Sequence, residues 1–512
     1  MLSATMLRHG ASRPSSWVSA LAFAGLCAML PIPSAHAAPS VIVAAGGGTE
    51  GEVGDTSSWS YKLYRKLVLS GDHNGDGKIK VVILSTNVET TWLPNYFLWL
   101  GANEAVNVKV SSKADANNAS LVGTVATADV VFLKGGDQGL YYDYWNGTLL
   151  ETHLRTAVDT NGGAIGGTSA GAMSLAQYCF SGGQDLISLD VLQDAKTPYL
   201  DDTSGGSGIH TDFLGFVPGT VIDTHYTSRG RTGRMLGILG RAVQDNNNKN
   251  ILAIGLEEQT GIAITGSMAE VVGVGSVDLI QQTSTTVLRR DSKRPLFYTN
   301  LRLDRLTEGW KFNLSTRLPD TVNRPTGALA VAYGGDSSAN SSSLTVKGSR
   351  YSDEERFGRT VDYDPYPYTT AAGTSSPFVR NTVGLTDAQN SDYRGDVHES
   401  LFRALFDYPA YTGFLVATPG QLYRSSSTPD EIQFQRNSSQ LAVEAATLVV
   451  DGKTVTYKSL SPYVSLHDTG NGSLRAAGLI NARIHVLAET SSSTRGARYN
   501  TRTHTVVGGP TP

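Results

Sequence analysis

The chain is predicted to be α/β: a mostly parallel sheet with helices on both faces, followed by a mostly β accessory region. Three observations carry that prediction. Short apolar runs recur from Val41 onward and end in glycines or polar residues. The stretches between them have helical character, the pattern of a parallel sheet covered on both sides. Beyond Ser343 the texture changes to Tyr/Ser/Thr-rich segments with strand-like runs.

The runs fall in order. Ser40–Gly48 (SVIVAAGGG) is an apolar strand running into glycines, and Lys80–Ser85 (KVVILS) is a second. Ala128–Leu133 (ADVVFL) is a third, followed by Lys134-Gly-Gly-Asp-Gln138. Gly163–Gly166 feeds a serine turn, and Ile251–Leu256 (ILAIGL) is another strand of the same kind. Val271–Ile280 and Leu301–Leu314 read as strands that close this first unit. Ligands of such sheets bind in the loops at the carboxyl ends of the strands.

Arg317–Pro325 is a plausible linker, and Gly334–Ser343 (GGDSSANSSS) is polar low-complexity sequence. Further on, a helix is expected near Val397–Phe406 and strands at Ala445–Val450 and Thr454–Tyr457. The reading divides the chain into residues 1–37, 38–319 and 320–512. The role of the last part is not legible.

Length and composition set bounds. The chain has 512 residues, of which 40% are hydrophobic, enough for more than one domain and a large core. Its formal net charge of -4 offers no electrostatic footing for nucleic acid. The N-terminus reads as an export signal: Arg8 and Arg13, then the apolar run Trp17–Ile32, then the small-x-small site Ala35-His36-Ala37. The run is short for a bilayer span and ends at Pro31 and Pro33, so no membrane anchor is expected after cleavage. The expected location is therefore extracellular or periplasmic. Cleavage removes Cys27, which leaves Cys179 without an internal disulfide partner; it reads as a buried small hydrophobe.

The chemistry starts at Gly167-Thr-Ser-Ala-Gly171, a G-x-S-x-G pattern between a strand and a helix-like run. On such an elbow small neighbours are needed, because the serine backbone is strained and crowded. Ser169 is then the candidate nucleophile, and the Ala170 amide can donate to an oxyanion. A serine needs a base and a group that orients the base. His225 in Val221-Ile-Asp-Thr-His225 and Glu258 in Gly255-Leu-Glu-Glu258 each follow an apolar strand, so both can reach the edge that carries Ser169. The order Ser, His, Glu differs from the Ser, acid, His of α/β-hydrolases, which argues against an esterase or lipase. Arg229, Arg231 and Arg234 follow the candidate base closely, and guanidinium forks suit carboxylates. The bland alternative is an arginine cluster that pairs with neighbouring acids.

Two other signals are weaker. Gly46-Gly-Gly48 lacks the full G-x-G-x-x-G pattern and reads as a tight turn. Asp72–Lys78 (DHNGDGK) begins like a calcium loop, but Ile83 stands where the twelfth-position acid belongs, so no metal or cofactor is assigned.

As a set, GGTSAGAM, KGGDQ, DTHYTSRGRTGR and GLEEQT resemble the motifs of the cyanophycinases, serine peptidases related to the aspartyl dipeptidases. The resemblance covers roughly residues 40–318 and implies a fold similar to the class I glutamine amidotransferases. It implies Ser169 as nucleophile, His225 as base and Glu258 as orienting acid. Gly136, next to Gly135, would add an amide to the oxyanion hole beside Ala170. Gln138, Asp223, Arg229, Arg231 and Arg234 would bind substrate. Thr224 departs from the family's glutamine and Tyr226 from its phenylalanine, and Glu257 stands where the family commonly has Asp.

The implied substrate is cyanophycin, an aspartate backbone carrying arginine on each β-carboxyl, or a similar aspartyl peptide. The implied product is the β-aspartyl-arginine dipeptide. The guanidinium groups of that substrate need acids, and Asp137 and Asp223 are the nearest candidates. A related exopeptidase acting on other aspartyl peptides is the second reading, and a catalytically silent polymer-binding protein the third. A homodimer is compatible with the sequence.

Overall fold

A computed structural model describes residues 39–326 except 88, 183–185, 202–207 and 227, together with strand segments between 329 and 488 and residues 497–500 and 505–508. The export signal, the Gly334–Ser343 segment and the helix expected at Val397–Phe406 lie outside the described residues. Strands at Thr447–Val450 and Lys453–Thr454 cover part of the two late expectations.

The first sheet is built from β1 (Ile42–Ala45), β2 (Lys80–Ser85), β3 (Glu104–Lys109), β4 (Val130–Leu133) and β5 (Ala164–Thr168). These five are mutually parallel, in the order β1-β5-β4-β2-β3. Helix α1 (Trp59–Leu69) and helix α2 (Trp92–Leu100) cover one face; α3 (Gln138–Trp145) lies on the other. Strand alternation explains the layering. Val43 and Ala45 join the α1–α2 core, whereas Ile42 and Ala44 join the opposite one. Gly167 in β5 lies so close to the next helix that a Cβ would fall 2.4 Å from the Gly171 carbonyl carbon. The elbow can therefore fold flat on its own strand.

β6 (Thr220–Asp223), helix α4 (Thr232–Asp245) and β7 (Leu252–Leu256) follow. β7 does not extend the parallel sheet, as its apolar run suggests. It pairs in parallel with β6 and antiparallel with β8 (Ser276–Arg289), in a second sheet. An apolar run announces a buried strand but does not name its partner. β8 pairs in turn with β9 (Phe297–Thr307), and β9 with a strand far along the chain, β10 (Ala477–Ala488). The hairpin Thr260–Thr265 and Met268–Gly273 returns antiparallel to β1 and widens the first sheet on that side. The chain is thus an α/β protein with a mostly β C-terminal part. No helix among the described residues is long and apolar enough to cross a membrane.

Candidate active site

Ser169 stands between β5 and the short helix Ala170–Met173 with φ 51° and ψ −122°. A non-glycine residue holds such a backbone only when its surroundings impose it. They do: the Ser169 amide donates to the Ala45 carbonyl of β1 at 2.9 Å, and its carbonyl accepts from Ala172 at 2.9 Å and Met173 at 3.1 Å. The turn lifts Oγ off the sheet edge. Ala170 takes the first helical position, where amides have no intrahelical acceptor.

His225 follows β6. Its amide donates to the Gly46 carbonyl at 2.9 Å, and its φ of 48° swings the ring back over the edge of the first sheet. The ring meets Ser169 and Glu258 together. Nε2 lies 2.8 Å from Ser169 Oγ, and Nδ1 lies 2.6 Å from Glu258 Oε1. His225 is 6% exposed, so this contact is shielded from water. A carboxylate accepts only, so Nδ1 carries the proton and Nε2 presents its lone pair to the serine hydroxyl.

Glu257 is buried. Its carboxylate accepts from the amides of Ser228 and Glu258, at 3.1 Å and 2.8 Å for the shorter contacts. It ties the loop after His225 to the strand end that carries Glu258.

The turn Gly46–Gly48 belongs to this site, a role that its sequence signal did not reveal. The Gly47 carbonyl accepts from Gln259, next to Glu258, at 2.7 Å. A Cβ on Gly47 would lie 2.4 Å from His225 Cε1, and its φ of +97° favours glycine in any case. The glycines form the floor on which the imidazole rests. Gly47→Ala is therefore expected to displace the ring and lower kcat by about 10²-fold, the effect of an error near 1 Å in catalytic geometry. Turnover measured beside the melting temperature checks this, since the fold should survive.

Gly135 lies against the elbow, where its Cβ would fall 3.3 Å from Ser169 Cβ. The Tyr141 hydroxyl donates to the carbonyls of Lys134 and Gly135 at 2.7 Å and 3.2 Å. In a planar trans peptide the N–H points opposite to the C=O, so the Gly136 amide faces away from Tyr141. Burial pushes the Tyr141 phenol up, which keeps it a donor. Gln138 opens α3 half-buried, against Gly182. Asp137 accepts from the Gly139 and Leu140 amides as the cap of α3.

In the arginine segment two side chains turn inward. Asp223 is fully buried, and its Oδ1 accepts from Arg234 Nη2 at 3.0 Å and Arg231 Nη1 at 3.4 Å. Arg231 also donates to the Thr224 carbonyl at 3.0 Å, and Arg234 to the Leu186 carbonyl at 3.3 Å. Asp223, Arg231 and Arg234 thus bind one another beneath the His225 loop rather than offering free forks and a free acid to a ligand. The reason is geometric: Asp223 is the last residue of β6, and Arg231 and Arg234 turn back onto it across the start of α4. Arg229 is the more exposed member of the three. Cys179 is buried, and its thiol is pushed up to about 12 by burial, which leaves it a poor nucleophile.

Among the described residues no His/Cys/Asp/Glu cluster suits a metal ion. In the Asp72–Lys78 turn the Asp72, Asn74 and Asp76 side chains accept from the turn's own amides.

Residues 99–272 match the model of Peptidase family S51. A cyanophycinase of Synechococcus elongatus is 28% identical over 221 residues, 42% of this chain. One from Geminocystis herdmanii is 26% identical over 257 residues, 48% of this chain and 86% of that protein. Over this region the chain is similar to Peptidase family S51 and to these cyanophycinases. It spans 62% of the length of the Synechococcus relative. A solved peptidase from an acI-B1 Actinobacterium aligns at 17% identity and a TM-score of 0.37, over 55% of this chain and 98% of that one. The fold class rests on the strand order above.

Proposed function

We propose that the chain is a secreted serine exopeptidase that hydrolyses cyanophycin to β-aspartyl-arginine dipeptides. The observation that carries the proposal is the continuous relay Ser169 Oγ, His225, Glu258, at 2.8 Å and 2.6 Å. Cyanophycinase relatives that match the same region support the substrate class.

The steps follow from the geometry. Ser169 Oγ attacks the scissile carbonyl carbon while its proton passes to His225 Nε2. Glu258 holds the ring in the Nδ1–H tautomer and stabilises the imidazolium that forms. The carbonyl oxygen becomes an oxyanion beside the amides of Gly136 and Ala170. His225 then protonates the departing amine, an acyl-serine forms, and water repeats the cycle to release the acid.

Export is part of the proposal and is supported by the Arg8/Arg13, apolar-run and Ala35-His36-Ala37 pattern. The test is incubation of folded protein with insoluble cyanophycin, with mass spectrometry of the soluble fraction. Dipeptide release supports the proposal. Release from other aspartyl peptides but not from the polymer favours the related exopeptidase, and binding without release favours a silent polymer-binding protein.

A further inference from the structure

The two acids expected to meet the substrate's guanidinium groups are committed elsewhere. Asp223 serves two arginines, and Asp137 caps α3. A third carboxylate, singled out by no motif, stands on the loop after β1, the strand that neighbours β5 and its elbow.

Glu50 follows the glycine turn that supports His225. Its loop is fastened on both sides. Trp59 Nε1 donates to the Thr49 carbonyl at 2.9 Å, and the Gly51 amide donates to Ser60 Oγ at 2.9 Å. The Tyr64 hydroxyl donates to Glu50 Oε1 at 3.3 Å. Tyr64 is fully buried on α1, edge-on to Phe132 of β4 with ring centroids 5.0 Å apart. The carboxylate is therefore held in one place, while Glu50 itself stays half-exposed.

Its position follows from the sheet order β1-β5-β4. β5 carries the nucleophile, and the loops after β1 and β4 flank it. Glu50 is on the first loop. Lys134, directly before the oxyanion glycines, opens the second. Burial pushes the Lys134 amine down, while Glu50 first and Glu89 second pull it back up. Glu89 is exposed on the loop after β2, whose Asn87 Nδ2 lies 3.5 Å from a Cβ on Gly136.

We propose that Glu50 is a specificity-determining residue, reading the cationic guanidinium of the substrate residue bound at the Ser169 elbow. This rests on the peptidase reading above. A carboxylate whose orientation is already set by a buried phenol loses little freedom on accepting the two parallel N–H bonds of a guanidinium.

The experiment compares an aspartyl-arginine oligomer with its citrulline counterpart, which has the same shape and no charge. Wild-type protein should prefer the arginine oligomer in kcat/KM by on the order of tenfold to a hundredfold, as for a charge-assisted pair. In Glu50→Gln that ratio should collapse toward one, mainly through KM for the arginine oligomer. Glu50→Asp, which keeps the charge, should restore part of it. A ratio that Glu50→Gln leaves at its wild-type value overturns this inference alone. Wild-type protein that cleaves neither oligomer overturns the peptidase reading and this inference with it. The selectivity ratio is measured on folded protein, so loss of stability in a variant does not imitate the effect.

Discussion

Ser169→Ala is expected to lower kcat by about 10⁴- to 10⁶-fold while the protein remains folded, as removal of a relay nucleophile does. The fold should tolerate the change, because alanine keeps the Cβ, and the backbone bonds to Ala45, Ala172 and Met173 hold the turn. His225→Ala should cost a similar factor. In the double variant the losses should not multiply, since neither residue accelerates the reaction without the other. Residual activity measured on the two single variants and the double variant decides this. Independent, multiplicative losses would mean that His225 does not serve Ser169, despite the 2.8 Å contact.

Asp223→Ala is expected to have the largest effect on stability. It removes the buried carboxylate shared by Arg231 and Arg234, both less than a tenth exposed. Breaking such a pair from one side costs about 3–5 kcal/mol. Arg231→Ala should lower the melting temperature too, and Arg231→Lys should rescue poorly, because an ammonium lacks the two-pronged fork. Urea unfolding gives the stability, and turnover per folded molecule separates the roles. A wild-type melting temperature with weakened substrate binding would return these arginines to the ligand-gripping role that the sequence suggested.

These two predictions mark where sequence is informative. The elbow was legible because its determinants are local: a strand, small residues on either side of Ser169, and a helix-like run after it. His225 and Glu258 were legible because each is the polar residue that follows an apolar strand. The inward turn of Arg231 and Arg234 was not, since their spacing suits a ligand and a buried aspartate equally well. The Gly46–Gly48 floor was not legible either. It exists only because β1 lies beside β5 while the His225 loop folds over it, a contact between segments about 180 residues apart. The same limit applies to β7, whose apolar run fits a central parallel strand but pairs with β6 and β8. β10 is further still: it joins β9 across more than 170 residues of chain that carry no signal of the pairing.

The account depends on a serine made nucleophilic by its histidine. Reaction with a serine-directed fluorophosphonate, followed by peptide mass spectrometry, measures that property directly. The account predicts one adduct on Ser169, absent in Ser169→Ala and formed orders of magnitude more slowly in folded His225→Ala. An adduct on a different residue, or labelling of Ser169 at an undiminished rate without His225, would contradict it.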